Sequence, residues 1–260
     1  MAYENGAMSI ELATLELLRT RTSVPVPTVD FADRSRELCD ADYFFMPFID
    51  ADNLGIIVDT LPRAEREASM EQLGALNHEI NFLRGENFGP PAGPGDASWR
   101  RVFTGMVEDV LVNGERRGVG LGWDYDVVRA TVAEHADSLD EVNEPRLVER
   151  DLWDSDVMVR DGEIVCIIDH ERAFYDDPLI EAGFTGSQMA AFGDAAPFIR
   201  GYGHGELTGT QQARRRLYCL YLVLVMAIET VYRGHTDTKQ YGCARLRIDE
   251  AMSLLGLSRR

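Results

Sequence analysis

The chain has 260 residues, 45% of them hydrophobic, and 44 acidic against 26 basic side chains, for a formal charge of −18. That balance disfavours bare nucleic acid and anionic membrane surfaces as partners and favours cationic ones. Cys39, Cys166, Cys219 and Cys243 lack the close spacing of a zinc cluster and do not make a disulfide scaffold. The first nine residues lack an apolar signal core. The longest apolar run, Leu220 to Ile228, is too short to span a bilayer and ends at Glu229. These features imply a soluble cytoplasmic protein.

Ser9 precedes a helical pattern from Ile10 to about Arg19, with Leu12, Leu15 and Leu18 on its apolar side. Val24 to Val29 reads VPVPTV and must be extended, because each proline holds its predecessor out of the α region. YFFMPFID, from Tyr43 to Asp50, is a β-like apolar run that ends in an acidic turn. A second helix is expected from about Arg63, followed by a loop rich in Gly and Pro over Asn87 to Ala97. Helices are also expected over Ser98 to about Val112 and over Asp124 to Leu139. Val157 to Val159 and Ile164 to Ile168 flank Asp161-Gly162, a hairpin signal. A hairpin there brings the residues before Val157 and after Ile168 towards one end. Thr208 opens a long core helix with Gly234 as its C-cap, and a last helix covers Gln240 to Leu255.

From Leu147 the chain reads LVERDLWDSDVMVRDGEIVCIIDHERAFYDDPLIE. With ELATLELL, SVPVPTV, YFFMPFI and LYLVLVMAIETVYRG in the same order, it resembles the aminoglycoside phosphotransferase family over nearly the whole chain from Ser9. That family has a histidine-x-aspartate motif, an asparagine five residues beyond the aspartate, a hairpin, an isoleucine-aspartate pair and then aspartate-proline. The resemblance implies an α+β, protein-kinase-like fold. Residues 1–50 would form a reduced N-lobe and linker, and residues 51–260 a mostly helical C-lobe containing the catalytic-loop hairpin. By the same resemblance Asp151 falls on the catalytic aspartate, Asp169 on the Mg²⁺ ligand and Asp156 on the asparagine that serves a second metal. Phosphoryl transfer needs a group to orient the acceptor and hard oxygen ligands for the metal, and these three carboxylates fit those roles.

Departures from the pattern shape the expected function. Glu149 stands at the histidine position, followed by Arg150, and Asp156 adds charge beside Asp151 and Asp154. Like-charge repulsion should raise some of these pKa values unless Arg150 or a cation offsets it. Only Met1 to Met8 precede Ser9, too few residues for the family's nucleotide-covering strands. Glu11 falls on the family glutamate that pairs with a phosphate-binding lysine, yet the sequence has one lysine, Lys239. The leading expectation is therefore a divergent member without a self-sufficient ATP clamp and with no cofactor of its own. It would bind a small molecule or peptide, or carry out ATP-independent acid/base chemistry at Asp151. One alternative is an ATP- and Mg-dependent phosphotransferase acting on a small-molecule hydroxyl, completed by missing N-terminal sequence or a partner. The other is a pseudokinase-like interaction protein, with a homodimer or partner protein over the reduced N-lobe.

Glu149, Arg150, Asp154, His170 and His204 are supporting candidates. Asp154 also reads as a solvated loop carboxylate, His170 as a packed histidine, and His204 as part of a loop, GYGHGEL, able to close over a pocket. Asp177-Pro178 reads as a turn anchor, and Arg214, Arg215 and Arg216 as a polar flank of the core helix. His78 and His135 read as ordinary helical residues.

Overall fold

The computed structural model describes residues 6–234 and 238–258. Helix α1 (Ala7–Arg21) starts two residues before Ser9, because Gly6 takes a left-handed φ of 79° and turns the chain into the helix. The proline-rich stretch after it stays extended, and the Pro25 carbonyl accepts the Ile167 amide at 2.8 Å. Strands β1 (Phe31–Asp33) and β2 (Tyr43–Phe45) pair antiparallel with Phe31 opposite Phe45. Only three residues of the expected 43–50 run join that ladder, since Pro47 has no amide to donate.

Two short elements follow, β3 (Asp52–Asn53) and α2 (Leu54–Ile57), and then α3 (Arg63–Ile80). Helix α4 (Trp99–Arg117) is capped by Ser98, whose side chain accepts the Arg101 amide, and outruns the expected end by five residues to stop at left-handed Gly118. Helix α5 (Tyr125–His135) is capped by Asp124 and continues as a 3-10 turn over Ala136–Glu141.

Strand β4 (Arg146–Val148) leads into the acidic loop, which exits into β5 (Val157–Arg160) and β6 (Glu163–Ile167). Asp161 and Gly162 both have positive φ, 54° and 81°, the backbone that a two-residue hairpin turn requires. Strand β7 (Phe174–Asp176) returns to pair antiparallel with β4, and β3 adds to the edge of β5. Helix α6 (Ala196–Tyr202), absent from the sequence expectations, precedes α7 (Gly209–Tyr232) and α8 (Thr238–Leu254). Thr208 and Gln211 form the reciprocal cap that starts α7. The result is a mixed α/β architecture with three small sheets, β1-β2, β3-β5-β6 and β4-β7, among its helices.

The core joins α4 to α7 through aromatics. Trp99, Phe103 and Tyr218 are buried, with Phe103 and Tyr218 edge-to-face at 5.1 Å. Arg214 and Arg215 do not form a polar flank: they are 6% and 1% exposed. Asp177 is the reason for the first, accepting Arg214 Nε at 2.8 Å and the Tyr218 hydroxyl at 2.7 Å. Arg215 donates to the Leu179 carbonyl and the Thr185 hydroxyl. A buried guanidinium is tolerable only with such acceptors.

Helices α3 and α6 cross at van der Waals contact through glycines. A Cβ on Gly74 would lie 2.0 Å from the Phe198 carbonyl oxygen, and one on Gly201 would lie 1.8 Å from that of Glu71. Backbone cannot yield as a flexible side chain does. Gly74→Ala is expected to cost about 2–3 kcal/mol through forced separation of the helices, read as a lowered urea midpoint with an unchanged slope.

Candidate functional site

The loop between β4 and β5 carries the chemistry-bearing residues, and a buried carboxylate holds its backbone. Glu181 is fully buried. Its Oε2 accepts the amides of Glu149 at 3.1 Å and Arg150 at 3.2 Å, and its Oε1 those of Leu152 at 3.1 Å and Ala182 at 2.8 Å. Asn77 Nδ2 adds a fifth donor at 3.2 Å. Burial pushes the Glu181 carboxyl up to about 7, against the downward pull of the amides. Sequence reasoning assigned Glu181 no role. Its one signal is a carboxylate set among apolar residues in LIEA, four residues after Asp177.

Arg150 takes a left-handed φ of 67°. Its guanidinium forks onto buried Asp176, with Nε to Oδ2 at 2.5 Å and Nη2 to Oδ1 at 3.0 Å, and lies 3.7 Å over the Phe174 ring. Arg150 therefore binds the loop to β7 and does not offset the charge of Asp156.

Asp151 is held at both oxygens. Trp153 Nε1 donates to Oδ1 at 2.7 Å, and Arg172 Nη1 meets Oδ2 at 2.9 Å. Arg172 also reaches Glu229 at 3.6 Å. Asp156 sits beyond Trp153, accepting the Trp153 amide at 3.2 Å and the Ser155 hydroxyl at 3.3 Å. Burial, reinforced by the charges of Asp151 and Asp169, pushes Asp156 up to about 7. Asp169 follows β6, exposed, at a left-handed φ of 68°. The hairpin thus brings Asp151 and Asp169 within electrostatic reach of Asp156.

Glu149 and His170 form the compensating pair. His170 Nδ1 lies 3.0 Å from Glu149 Oε2, and Nε2 lies 3.1 Å from the Ile167 carbonyl. Both ring nitrogens face acceptors, so the imidazolium satisfies both. Glu149 and Glu11 hold its pKa up at about 9 despite burial. Glu11 is 7% exposed and also accepts the His170 backbone amide. Burial pushes its carboxyl up to about 7, while the His170 charge opposes that shift. An imidazolium thus stands beside Glu11.

His204 is not brought to this cluster. Its ring packs near Tyr202 and Phe184, and its Nδ1 meets the Gly205 carbonyl. Asp154 lies in the wall of a cavity of about 610 Å³ with Trp153, Arg63 and Arg66. A second cavity, about 290 Å³, has Asp151, Arg172 and Tyr221 in its wall.

A family model described as "Phosphotransferase enzyme family" matches residues 3–218. The chain belongs to that family. No curated protein matches it significantly. Among solved structures it is similar to a thermostable mutant of aminoglycoside phosphotransferase APH(4)-Ia in ternary complex with AMP-PNP and hygromycin B. That match has a TM-score of 0.68 and 22% identity, and covers 96% of this chain and 84% of that one. A putative aminoglycoside phosphotransferase from Ralstonia eutropha JMP134 matches with a TM-score of 0.64 and 14% identity, over 98% of this chain and 85% of that one. The gentamicin complex of APH(2")-IIa matches with a TM-score of 0.59 and 13% identity, over 97% and 81%. These likenesses show the kinase-like fold. Among the described residues no helix is long and apolar enough to cross a membrane.

Glu181→Gln keeps the shape but turns an N–H donor toward backbone amides that have no other acceptor. We expect a loss of about 3 kcal/mol of stability, measured by urea denaturation.

The raised pKa values also set a pH dependence. Glu11 and Asp156 move from 4.5 and 3.8 to about 7, and His170 from 6.5 to about 9. Each folded value lies above the unfolded one, so the folded state holds protons that the unfolded chain releases. The associated stability is present at low pH and is lost as pH rises through about 7 for the carboxyls and about 9 for the imidazole. The thermal midpoint should fall between pH 4 and pH 9 by on the order of 5 °C, and Asp156→Asn should shrink the part of that fall below pH 7. Scanning calorimetry across this range is the check.

Proposed function

We propose that the protein is a magnesium-dependent phosphotransferase that moves the γ-phosphoryl group of ATP to a hydroxyl of a small molecule. The observation that carries this reading is Asp151 in a cavity wall, with Asp151 and Asp169 both within electrostatic reach of Asp156 at the ends of the hairpin, in a chain of the phosphotransferase family. The family match and the retained carboxylates support it over the repurposed, ATP-independent chemistry that the divergent loop suggested.

Asp156 and Asp169 offer the hard oxygen donors that suit Mg²⁺. Burial and neighbouring negative charge hold Asp156 at about 7, the behaviour of a carboxylate group short of a cation. Bound Mg²⁺ would neutralise charge on the phosphates. Asp151 accepts the proton of the acceptor hydroxyl as its oxygen bonds to the γ-phosphorus, and the bond to the ADP oxygen breaks. Trp153 and Arg172 fix the orientation of the Asp151 carboxylate. Lys239 is the one lysine of the sequence. Positive charge over the phosphates therefore comes from arginine, from the metal, or from polypeptide outside this sequence.

A partner protein or a second copy has its own support. Phe31 and Phe45 are 52% and 60% exposed on the β1–β2 ladder, packed with Tyr43 into an aromatic face. An exposed apolar face of this kind fits a covering polypeptide.

Titration calorimetry with MgATP, followed by a coupled ADP assay over a panel of alcohols, tests the transferase reading. Asp151→Asn should lower kcat by roughly 10²–10⁴-fold while nucleotide affinity stays within a few-fold. Asp169→Ala should abolish metal-dependent nucleotide binding. No binding at millimolar MgATP, or binding unaffected by Asp169→Ala, would sink the reading.

A further inference from the structure

The cavity beside Asp151 occupies about 290 Å³, the share of liquid volume of on the order of ten water molecules. Its wall is built from elements that the fold holds rigidly. Helix α4 contributes Met106 and Val110, α7 contributes Leu222 and Val225, and the chain from β7 onward contributes Phe174 and Ile180. These are aliphatic or aromatic surfaces, most of them buried or half-buried.

Polar and charged residues also line the wall, among them Asp109, Asp151 and Glu171, but most of their polar groups are already engaged; the Tyr218 hydroxyl, for one, is held by Asp177 and Trp99. Arg150 is forked onto Asp176, and Arg172 is shared between Asp151 and Glu229. Asn113 donates to the Asp109 carbonyl and accepts the Tyr232 hydroxyl. Tyr221 is different. Its hydroxyl has no hydrogen-bond partner among the described residues, while its ring packs edge-to-face on Phe103 at 5.9 Å. Besides Asp151, the carboxylates of the wall are Asp109, on α4 and exposed at the rim, and Glu171.

A ligand's polar groups need partners when they leave water. An amino sugar carries hydroxyls and ammonium groups around its whole ring, whereas the carboxylates here are confined to Asp151, Glu171 and Asp109 at the rim, so the rest of such a ring would face the hydrocarbon of Met106, Val110, Leu222 and Val225. A compact alcohol with an apolar body can lie against Met106, Val110, Leu222 and Val225, place its hydroxyl at Asp151, and find in Tyr221 one further polar handle. We infer that the acceptor of this site is a compact alcohol with a predominantly apolar body, and not a polycationic amino sugar. The inference rests on the transferase reading for the word acceptor, but the binding preference stands apart from turnover.

Two probes of comparable size separate the possibilities without nucleotide: adamantanemethanol, an apolar cage with one hydroxyl, and deoxystreptamine, a diaminocyclitol. Calorimetric titration of the full chain should show saturable adamantanemethanol binding at least tenfold tighter than deoxystreptamine, a difference of about 1.4 kcal/mol. Leu222→Asn, a polar change at a half-buried wall position, should weaken adamantanemethanol binding at least tenfold with no comparable effect on deoxystreptamine. Equal affinities, tighter binding of the diamine, or no adamantanemethanol binding would overturn the inference. Adding MgATP then tests the reaction separately. Binding without transfer would count against the proposed function and leave the ligand preference standing.

Discussion

The site depends on one buried carboxylate. Glu181 gathers four backbone amides and the Asn77 side chain, and three of those amides belong to the loop that presents Asp151. A loop whose amides point inward to a common acceptor cannot use them in a sheet or helix, so its shape is set from beneath. Around that point the other constraints arrange themselves. The β4–β7 ladder fixes where the loop begins, Arg150 fastens its second residue to Asp176, and the hairpin fixes where the loop ends. The five donors lower the cost of burying Glu181 without cancelling it, as its carboxyl still stands at about 7.

Charge is balanced in the interior by pairs drawn from distant parts of the sequence. Glu149 meets His170, Arg150 meets Asp176, and Arg214 meets Asp177. Buried ion pairs of this sort add little net stability, since desolvation consumes much of the attraction. Their effect is on geometry: each joins a β4–β5 loop residue or an α7 residue to the segment around β7. Asp156 lacks such a partner and is left with neighbours of its own sign. The contrast separates carboxylates that hold the scaffold from one with no cationic partner in the interior.

Much of the fold was legible because local signals agreed with tertiary demand. Thr208 with Gln211, Ser98 before α4 and Asp161-Gly162 in the hairpin are local chemistry, and each acts where the sequence places it. The positions of Asp151, Asp156 and Asp169 around the hairpin followed from the same turn. Helix α6 was not legible, because it is seven residues long and is held by glycine-mediated contact with α3 and not by its own periodicity. The burial of Arg214 and Arg215 was hidden for a related reason: three arginines in a row read as surface unless the acceptors opposite are known. Glu181 and the partner of Glu149 were out of reach because side-chain pairing across the fold leaves no mark at fixed spacing.

The Glu149–His170 pair has an evolutionary consequence. Replacing Glu149 alone leaves the buried His170 with Glu11 as its remaining carboxylate neighbour, and replacing His170 alone strands a carboxylate. Either single step is costly, while a joint exchange to another matched pair need not be. The two positions are therefore epistatic. A lineage can cross between this arrangement and a histidine at the loop position only through a narrow pass of destabilised intermediates, so the two positions are expected to change hands together.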